Sequence, residues 1–289
     1  MIGVVTYVLD GRKVTEMSTQ VFSRFFRQLG GSSWVQALPK NGRTRLSSSF
    51  TEDFSPSVWD TKVLSGLVRA KTSLPYSLKK VSTSFDSLDI VQRYDVMCSA
   101  IKPRPLAFIS TCSTGGCNNL APVAFFMPVT SEPASLAFSM TWRRDGSEKD
   151  TLVNIRSTGH FVVNHTTLPI IAKVFVASQE FGPDVDEFEE AGLTPVPSVC
   201  GPAPHVLESP VSLECRLLHT LPVGEKRHGG TTVVIGQVVH MHVSESCIDG
   251  NGIRGETLQS VSRVEGTRFA AGERKFDIVS ENVWGKGKW

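Results

Sequence analysis

Short apolar runs separated by turn residues dominate the chain after residue 100. Six of them have the length and composition of β-strands: PLAFIST (105–111), NLAPVAFF (119–126), SLAFSMT (135–141), HFVVNHT (160–166), SPVSLECRLLHTL (209–221) and TTVVIGQVVHMHV (231–243). The turn of the first hairpin is expected at Ser113 to Gly116. Many strands with few helices between them favour a closed antiparallel barrel over a doubly wound sheet. The pattern therefore predicts a mainly β fold.

Helical periodicity is much rarer than strand pattern. It occurs in three segments: 148–157, 168–178 and 255–262. In the first of these, Ser147 followed by Asp150 fits a capping box, so a helix is predicted to start near Glu148 and to stop at Gly159. The sheet is therefore expected to carry only a few flanking helices.

Three cations surround the predicted start of that helix: Arg143, Arg144 and Lys149. A helix N-terminus offers unpaired N–H groups and the positive end of a dipole, so nearby cations make it a favourable seat for a phosphate. The alternative is a solvated turn whose charges serve solubility only.

The first part of the chain has a different composition from the rest. Between Met17 and Thr51 there is no acidic residue, while five cations occur among many serines, and positions 21–29 place apolar and basic side chains on opposite helical faces. This composition is typical of a transit peptide and predicts a mitochondrial or other organelle protein, with a disordered extension of a cytoplasmic protein as the alternative. We therefore divide the chain into an N-terminal extension (1–84), a folded domain (85–280) and a tail (281–289).

Charge and length exclude several classes of partner. The 289 residues are 40% hydrophobic and carry a formal net charge of +2, but residues 1–85 are near +7 and the remainder near −5. The folded domain is therefore mildly acidic, which argues against nucleic acid as a partner. No apolar run has the length of a membrane span. The six cysteines form neither a CxxC pair nor a dense framework, so we expect free thiols.

Other motifs are interpreted as structural. Gly250, Gly252 and Gly255 match GxGxxG, but too little chain follows for a dinucleotide-binding crossover, so we interpret them as a turn. His240 and His242 alternate onto one strand face and offer two metal ligands, but no third ligand stands at convincing spacing, so no metal site is predicted.

Two further patterns give no catalytic residue. The acidic positions Glu187, Glu189 and Glu190 fit the solvated face of a short helix. The chain contains no GxSxG nucleophile elbow, and we assign no catalytic side chain.

Several ordered blocks together resemble a known family. PRPLAFISTCSTGGCNNLAPVAFF and SMTWRRDGSEKDTLVNIRSTGHFVVN, followed by DEFEEAGLTPVPS, SPVSLECRL and VVIGQVVHMHV, resemble the flavin reductase-like FMN-binding family. The resemblance covers roughly residues 85–280. It implies a split β-barrel that binds FMN and commonly forms a homodimer with the flavin near the subunit interface.

The resemblance also implies which residues hold the cofactor. Ser110 and Thr111 would meet the flavin or its ribityl chain, and Asn164 would order the site from behind. The isoalloxazine ring would be lined by Asn119, Ala121 and Pro122. The phosphate would be surrounded by Ser139, Arg143, Lys149, Asp150 and Thr151. At Ala124 the family often has a serine, so one hydroxyl near the flavin is missing.

The implied activity is that of an oxidoreductase. NADH or NADPH would deliver a hydride to N5 of the flavin, and the electrons would pass to another flavin or a small-molecule acceptor. One alternative is a flavin-binding or electron-transfer module without a nicotinamide reaction of its own. A second alternative is an enzyme on a related barrel that resembles pyridoxamine-phosphate oxidase.

Overall fold

The computed structural model describes residues 4–9 and 12–17 near the N-terminus. In the rest of the chain it describes residues 77, 79–227, 229–250 and 252–272. The chain divides into two units, Met1–Val58 and Trp59–Trp289. In the first unit, β1 (Val4–Leu9) pairs with β2 (Arg12–Met17) as an antiparallel hairpin. The segment on which the transit-peptide prediction rests, and the predicted tail from residue 281, lie outside the described residues.

The second unit is built mainly from strands. Its described helices are α1 (Ile90–Ala100), α2 (Asp150–Thr158), α3 (Ile171–Val176) and α4 (Glu187–Ala191). The long strands are β4 (Ala107–Cys112), β5 (Asn118–Val123), β6 (Phe126–Ser131), β7 (Ala134–Thr141), β8 (His160–His165), β11 (Val211–Val223) and β12 (Thr231–Val243). The short ones are β3 (Arg104–Pro105), β9 (Pro195–Val196), β10 (His205–Val206), β13 (Ile248–Asp249), β14 (Gly252–Ile253), β15 (Val261–Glu265) and β16 (Arg268–Ala271). Among these described helices, none is long and apolar enough to cross a membrane.

The seven long strands form one antiparallel sheet in the order β5-β4-β8-β11-β12-β7-β6. Its two end strands, β5 and β6, follow each other in the chain, yet no ladder joins them in the described sheet. The barrel is therefore open along this seam, in contrast to the closed barrel that the strand pattern alone favours. The N–H of Ser139 on β7 donates to the carbonyl of Phe125 at 3.0 Å, which extends the β6–β7 ladder by one residue towards this seam.

Two apolar cores lie on opposite faces of β4, because side chains alternate along a strand. Ile109 belongs to the core inside the barrel, where it is buried with Phe138, Phe161 and Ile155 of α2. The next side chain back, Phe108, belongs to the second core, between the sheet and the helices α3 and α4. Apolar side chains thus pack against both faces of the β4–β5 hairpin.

Each of the six predicted runs contains an observed strand, but the bounds of one run and one predicted helix are wrong. The run 119–126 is divided between β5 and β6, because the chain turns at residues 124 and 125 to cross the seam. The helix predicted at 255–262 is wrong. Only Gly255–Thr257 forms a short 3-10 turn, and β15 then pairs with β3 and β16 in a small three-stranded sheet.

Helix α1 was not predicted from the sequence. It begins with a complete capping box, in which Asp89 accepts from the N–H of Gln92 and the Gln92 side chain accepts from the N–H of Asp89. Cys98 is its single buried residue, and Val91 and Met97 keep 62% and 45% of their surface exposed. Its apolar side chains therefore do not serve the core of the described chain.

Candidate functional site

Two buried hydrogen bonds fasten helix α2 to the hairpin β4–β5. The amide of Asn119 donates to the hydroxyl of Thr151 at 3.0 Å, and the amide of Asn154 donates to the hydroxyl of Thr111 at 3.1 Å. Thr111 and Asn119 are direct partners in the β4–β5 ladder, and positions 151 and 154 share one helix face. The fold thus brings together three of the residues predicted from the resemblance, at the first turns of α2.

The N-terminus of α2 has no side-chain cap. Its N-cap is Lys149, with Gly159 closing the other end in the left-handed conformation at φ 69°, as predicted. The predicted capping box is wrong, because both the N–H and the hydroxyl of Ser147 donate to the carboxylate of Asp145 instead. A local turn therefore takes the polar groups of Ser147, and the first N–H groups of α2 stay open to another acceptor.

Two predicted phosphate-binding cations at this helix start, Arg143 and Lys149, differ in whether they are paired within the protein. The guanidinium of Arg143 donates to the carboxylate of Asp150 and to the carbonyl of Glu148, both at 2.5 Å. The ammonium of Lys149 has no hydrogen bond or ion pair with any described residue. Loss of water around it, and next the charge of Arg143, lower the pKa of Lys149. The helix start therefore carries one fixed cation and one unpaired cation beside open N–H groups.

The remaining predicted residues of β5 and β7 lie near the seam. Ser139 and Ala121 are half-buried. Pro122, the next position after Ala121, faces the other side of β5 and lines a cleft of about 110 Å³ together with Phe175 and Phe269. Ala124 is part of the turn that crosses the seam and packs against the second core. Alternation along β5 thus separates the side chain of Pro122 from those of Asn119 and Ala121.

Asn164 is the centre of a buried polar network behind the hairpin. Its amide nitrogen donates to the carbonyl of Phe108 and the hydroxyl of Ser110, both at 3.0 Å. Its amide oxygen accepts from the N–H of Val206 at 2.9 Å and from the hydroxyl of Ser212 at 2.8 Å. The hydroxyl of Ser110 donates onward to the carbonyl of Pro204 at 2.5 Å. Asn164 thus orders the hairpin from within, while a contact between Ser110 and a flavin stays a prediction.

The acidic helix α4 contributes one residue that sequence reasoning missed. Glu189 and Glu190 are exposed, as predicted, but Glu187 is buried and accepts a hydrogen bond from the N–H of Leu120 at 3.1 Å. Burial raises the pKa of Glu187 to about 7, against the opposing effect of its backbone hydrogen bonds. The two residues are 67 positions apart, so no local pattern reveals this contact. The carboxylate of Glu187 thus binds a backbone N–H that β5 directs away from β4. The next residue on that side of β5, Pro122, has no backbone N–H.

A model of the flavin reductase like domain matches residues 100–252. The chain belongs to this family. It is 36% identical to an uncharacterized protein of Halalkalibacterium halodurans over 204 residues, which are 68% of this chain and 97% of that protein. The membership makes the chain a flavin-related oxidoreductase.

Solved structures agree with the family assignment and with the fold. Nitrilotriacetate monooxygenase component B from Bacillus cereus is 28% identical with a TM-score of 0.67, and the match covers 70% of this chain and all of that one. A Shewanella frigidimarina protein with a split barrel domain is 23% identical with a TM-score of 0.59, over 68% of this chain and 95% of that one. The mainly β fold is therefore a split barrel, as the resemblance implies.

Proposed function

We propose that this flavin reductase-like protein binds FMN along the seam and uses NADH or NADPH to reduce it. The observation that carries the proposal is the uncapped start of α2 beside the unpaired ammonium of Lys149. Open N–H groups, the positive end of the helix dipole and a free cation together suit the terminal phosphate dianion of FMN. We call this helix start together with Lys149 the α2 seat. FAD has no terminal phosphate, so the α2 seat favours FMN over FAD.

The chain's own residues fit this cofactor in charge and in shape. Arg143 is held in place by Asp150, so its positive charge stands beside the seat without the entropy cost of ordering a free side chain. Thr151 accepts its hydrogen bond from Asn119, which leaves the hydroxyl hydrogen of Thr151 available to donate to an oxygen of the ligand. Asn119 and Ala121 offer one face of β5 to the flat ring system.

FMN supplies the redox chemistry, because its ring accepts a hydride and holds two electrons. The protein's part in this proposal is to bind and orient the cofactor and to keep one ring face accessible to the nicotinamide. We assign no side chain as acid or base. The alternative function remains a flavin-binding or electron-transfer module that does not react with a nicotinamide.

The phosphate seat is tested by comparing FMN with riboflavin, which has the ring system but no phosphate. Lys149→Glu should weaken FMN binding roughly ten- to a hundredfold, since a charged hydrogen bond to phosphate contributes about 1.5 to 3 kcal/mol. Riboflavin affinity should stay unchanged. Flavin fluorescence titrations measure both affinities, and Arg268→Glu on β16 is the control for a charge reversal at an exposed cation. An unchanged FMN affinity in Lys149→Glu would remove the seat from the proposal.

The nicotinamide reaction needs a separate measurement. Oxidation of NADH and NADPH by the purified chain is followed at steady state, with and without added FMN. Turnover that depends on FMN supports the reductase. Tight FMN binding with no turnover of either nicotinamide favours the binding module and contradicts the reductase.

We also propose that the protein is a homodimer. Both α1 and β6, which belong to the same unit, expose apolar side chains. On β6, Met127 and Val129 keep 58% and 47% of their surface exposed. Large exposed apolar patches commonly mark protein interfaces. A second copy that covers these side chains would also close the side of the seam that β6 borders, and an obligate dimer buries well over about 2,000 Å².

Light scattering at micromolar concentration tests the assembly directly. We expect twice the chain mass of 31.5 kDa. Met127→Glu should shift the protein towards the single-chain mass, because it buries a charge in the interface. A single-chain mass for the wild-type protein with flavin bound would contradict the dimer.

A further inference from the structure

A cluster of histidines and one carboxylate lies on the paired strands β11 and β12. Glu214 is the direct ladder partner of His240, and His242 follows two positions later on the same face of β12. Nε2 of His242 lies 2.6 Å from Oε1 of Glu214. The ligand atoms of all three side chains lie within 4.8 Å of one another. The carboxylate is thus the third group that the two histidines lack in the sequence pattern.

We propose that Glu214, His240 and His242 form a binding site for a divalent first-row transition metal ion, with Zn²⁺ as the expected occupant. Two imidazoles and one carboxylate are the donor set that such ions prefer over Mg²⁺ or Ca²⁺, which take oxygen ligands. The site is independent of the proposed flavin function.

The buried carboxylate is held in place by backbone donors. The N–H groups of Val199 and Cys200 donate to its two oxygens at 2.8 and 2.7 Å, and Glu214 itself is fully buried. Hydrogen bonds to a ligating carboxylate fix its orientation and are part of well-formed metal sites. The ring of His242 is likewise positioned, because His205 stacks on it with ring centres 4.1 Å apart.

A fourth imidazole gives independent evidence that points to this place. His160 is only 3% exposed, and neither of its ring nitrogens has a hydrogen-bond partner. Its Nε2 lies 3.6 Å from Oε2 of Glu214. Gly201 packs directly on the ring, since a Cβ at that position would lie 2.2 Å from its Cγ. An imidazole buried this deeply without a hydrogen bond is costly, and a cation at Glu214 gives one of its nitrogens an electron-pair acceptor within reach.

Metal binding requires small shifts of the ligand atoms. Ligand atoms around a zinc ion at about 2.0 to 2.2 Å stand roughly 3.3 to 3.6 Å apart. Nε2 of His242 would therefore move away from its present 2.6 Å from Oε1 of Glu214, while all three groups already lie within 4.8 Å of one another. The register of β11 and β12 places Glu214 opposite His240, so rotation of the two imidazole rings would make these adjustments.

The cluster lies well along β12 from Ser139, one of the residues predicted to surround the phosphate. Val233 is the ladder partner of Ser139, and His240 lies seven positions beyond Val233 on β12. At about 3.3 Å per residue, His240 is roughly 23 Å along the strand from the position opposite Ser139. Metal binding and flavin binding can therefore be measured separately.

The first experiment is a titration of the full chain with zinc chloride against a chromophoric chelator. We expect one Zn²⁺ per chain, and His240→Ala should weaken the affinity at least about tenfold. His219→Ala, an exposed histidine on β11 outside the cluster, should leave it unchanged. Equal affinities of the wild type and His240→Ala, or no zinc binding at all, would overturn the proposal. His240 carries the test because replacement of the buried Glu214 endangers the fold.

The second experiment identifies the ligand type. Cobalt chloride added in place of zinc should give the visible bands of a cobalt site with nitrogen and oxygen ligands, and these bands should be lost in His242→Ala. Folding of each variant is checked by circular dichroism. A thiolate-to-cobalt charge-transfer band would place the ion at cysteine and would overturn the assigned ligand set.

Discussion

The carboxylate of Glu187 on α4 accepts a hydrogen bond from the backbone N–H of Leu120 at 3.1 Å, so a side chain covers the outer edge of β5. An uncovered edge strand is a template for pairing with another chain. The group that covers it is itself buried, and burial raises its pKa to about 7. The cover of β5 is therefore sensitive to pH in the physiological range.

The first prediction concerns stability against pH. The folded state holds the Glu187 proton up to about pH 7, whereas the unfolded chain releases it near 4.5. Between these values the folded state binds more protons, so this residue's contribution is fully present below pH 4.5 and is lost as the pH rises through 7. The free energy of unfolding should fall by at most about 3 kcal/mol across the window.

Urea unfolding at a series of pH values measures this effect. Glu187→Gln should remove the fall, because glutamine fills the same volume without titrating. Glu189→Gln, an exposed change on the same helix, should keep it. A fall of the same size in Glu187→Gln and the wild type would assign it to other groups.

A second prediction concerns Gly236 in the middle of β12. A Cβ at this position would lie 2.4 Å from Cζ of Phe161, which is fully buried and packs edge-on against Phe138. Gly236→Ala should therefore lower the free energy of unfolding by about 1 to 3 kcal/mol through overpacking. Thermal unfolding followed by circular dichroism measures it. Gly182→Ala, where a Cβ meets nothing within 4 Å, is the control and should be nearly neutral.

A third prediction concerns the N-terminal extension. A shortened chain that begins at Ser84 should fold and bind FMN as the full chain does, because both apolar cores and the α2 seat lie after that residue. Thermal unfolding and an FMN titration compare the two proteins. Loss of solubility or of FMN affinity in the shortened chain would show that residues 1–83 stabilise the barrel.

The long strands could be predicted from the sequence because each buries an alternating or fully apolar face that local pattern reveals. Helix α1 could not be found in this way, since most of its apolar side chains stay exposed and its pattern does not mark a buried face. Its capping box, Asp89 with Gln92, was the available signal. The strand β15 depends on pairing with residues near 104, about 160 positions away, which no local window contains.

The candidate site, like the fold, could be predicted only in part from the sequence. The resemblance named Thr111, Asn119 and Thr151, and the fold gathers them at one helix start. The hydrogen bond of Glu187 and the third member of the histidine cluster were not predictable. Each arises between strands or helices that are distant in sequence and becomes visible only when the ladder register is known.

Asn164 makes four hydrogen bonds with one amide group, two as donor and two as acceptor, and so uses its full capacity. An aspartate there would lose both donors, a leucine would lose all four bonds, and a glutamine would be one methylene too long for a fully buried position. The choice of residue at 164 is thus decided by bonding rather than by volume. The apolar core accepts exchanges among leucine, isoleucine and methionine. At position 164, by contrast, almost no other residue can replace asparagine.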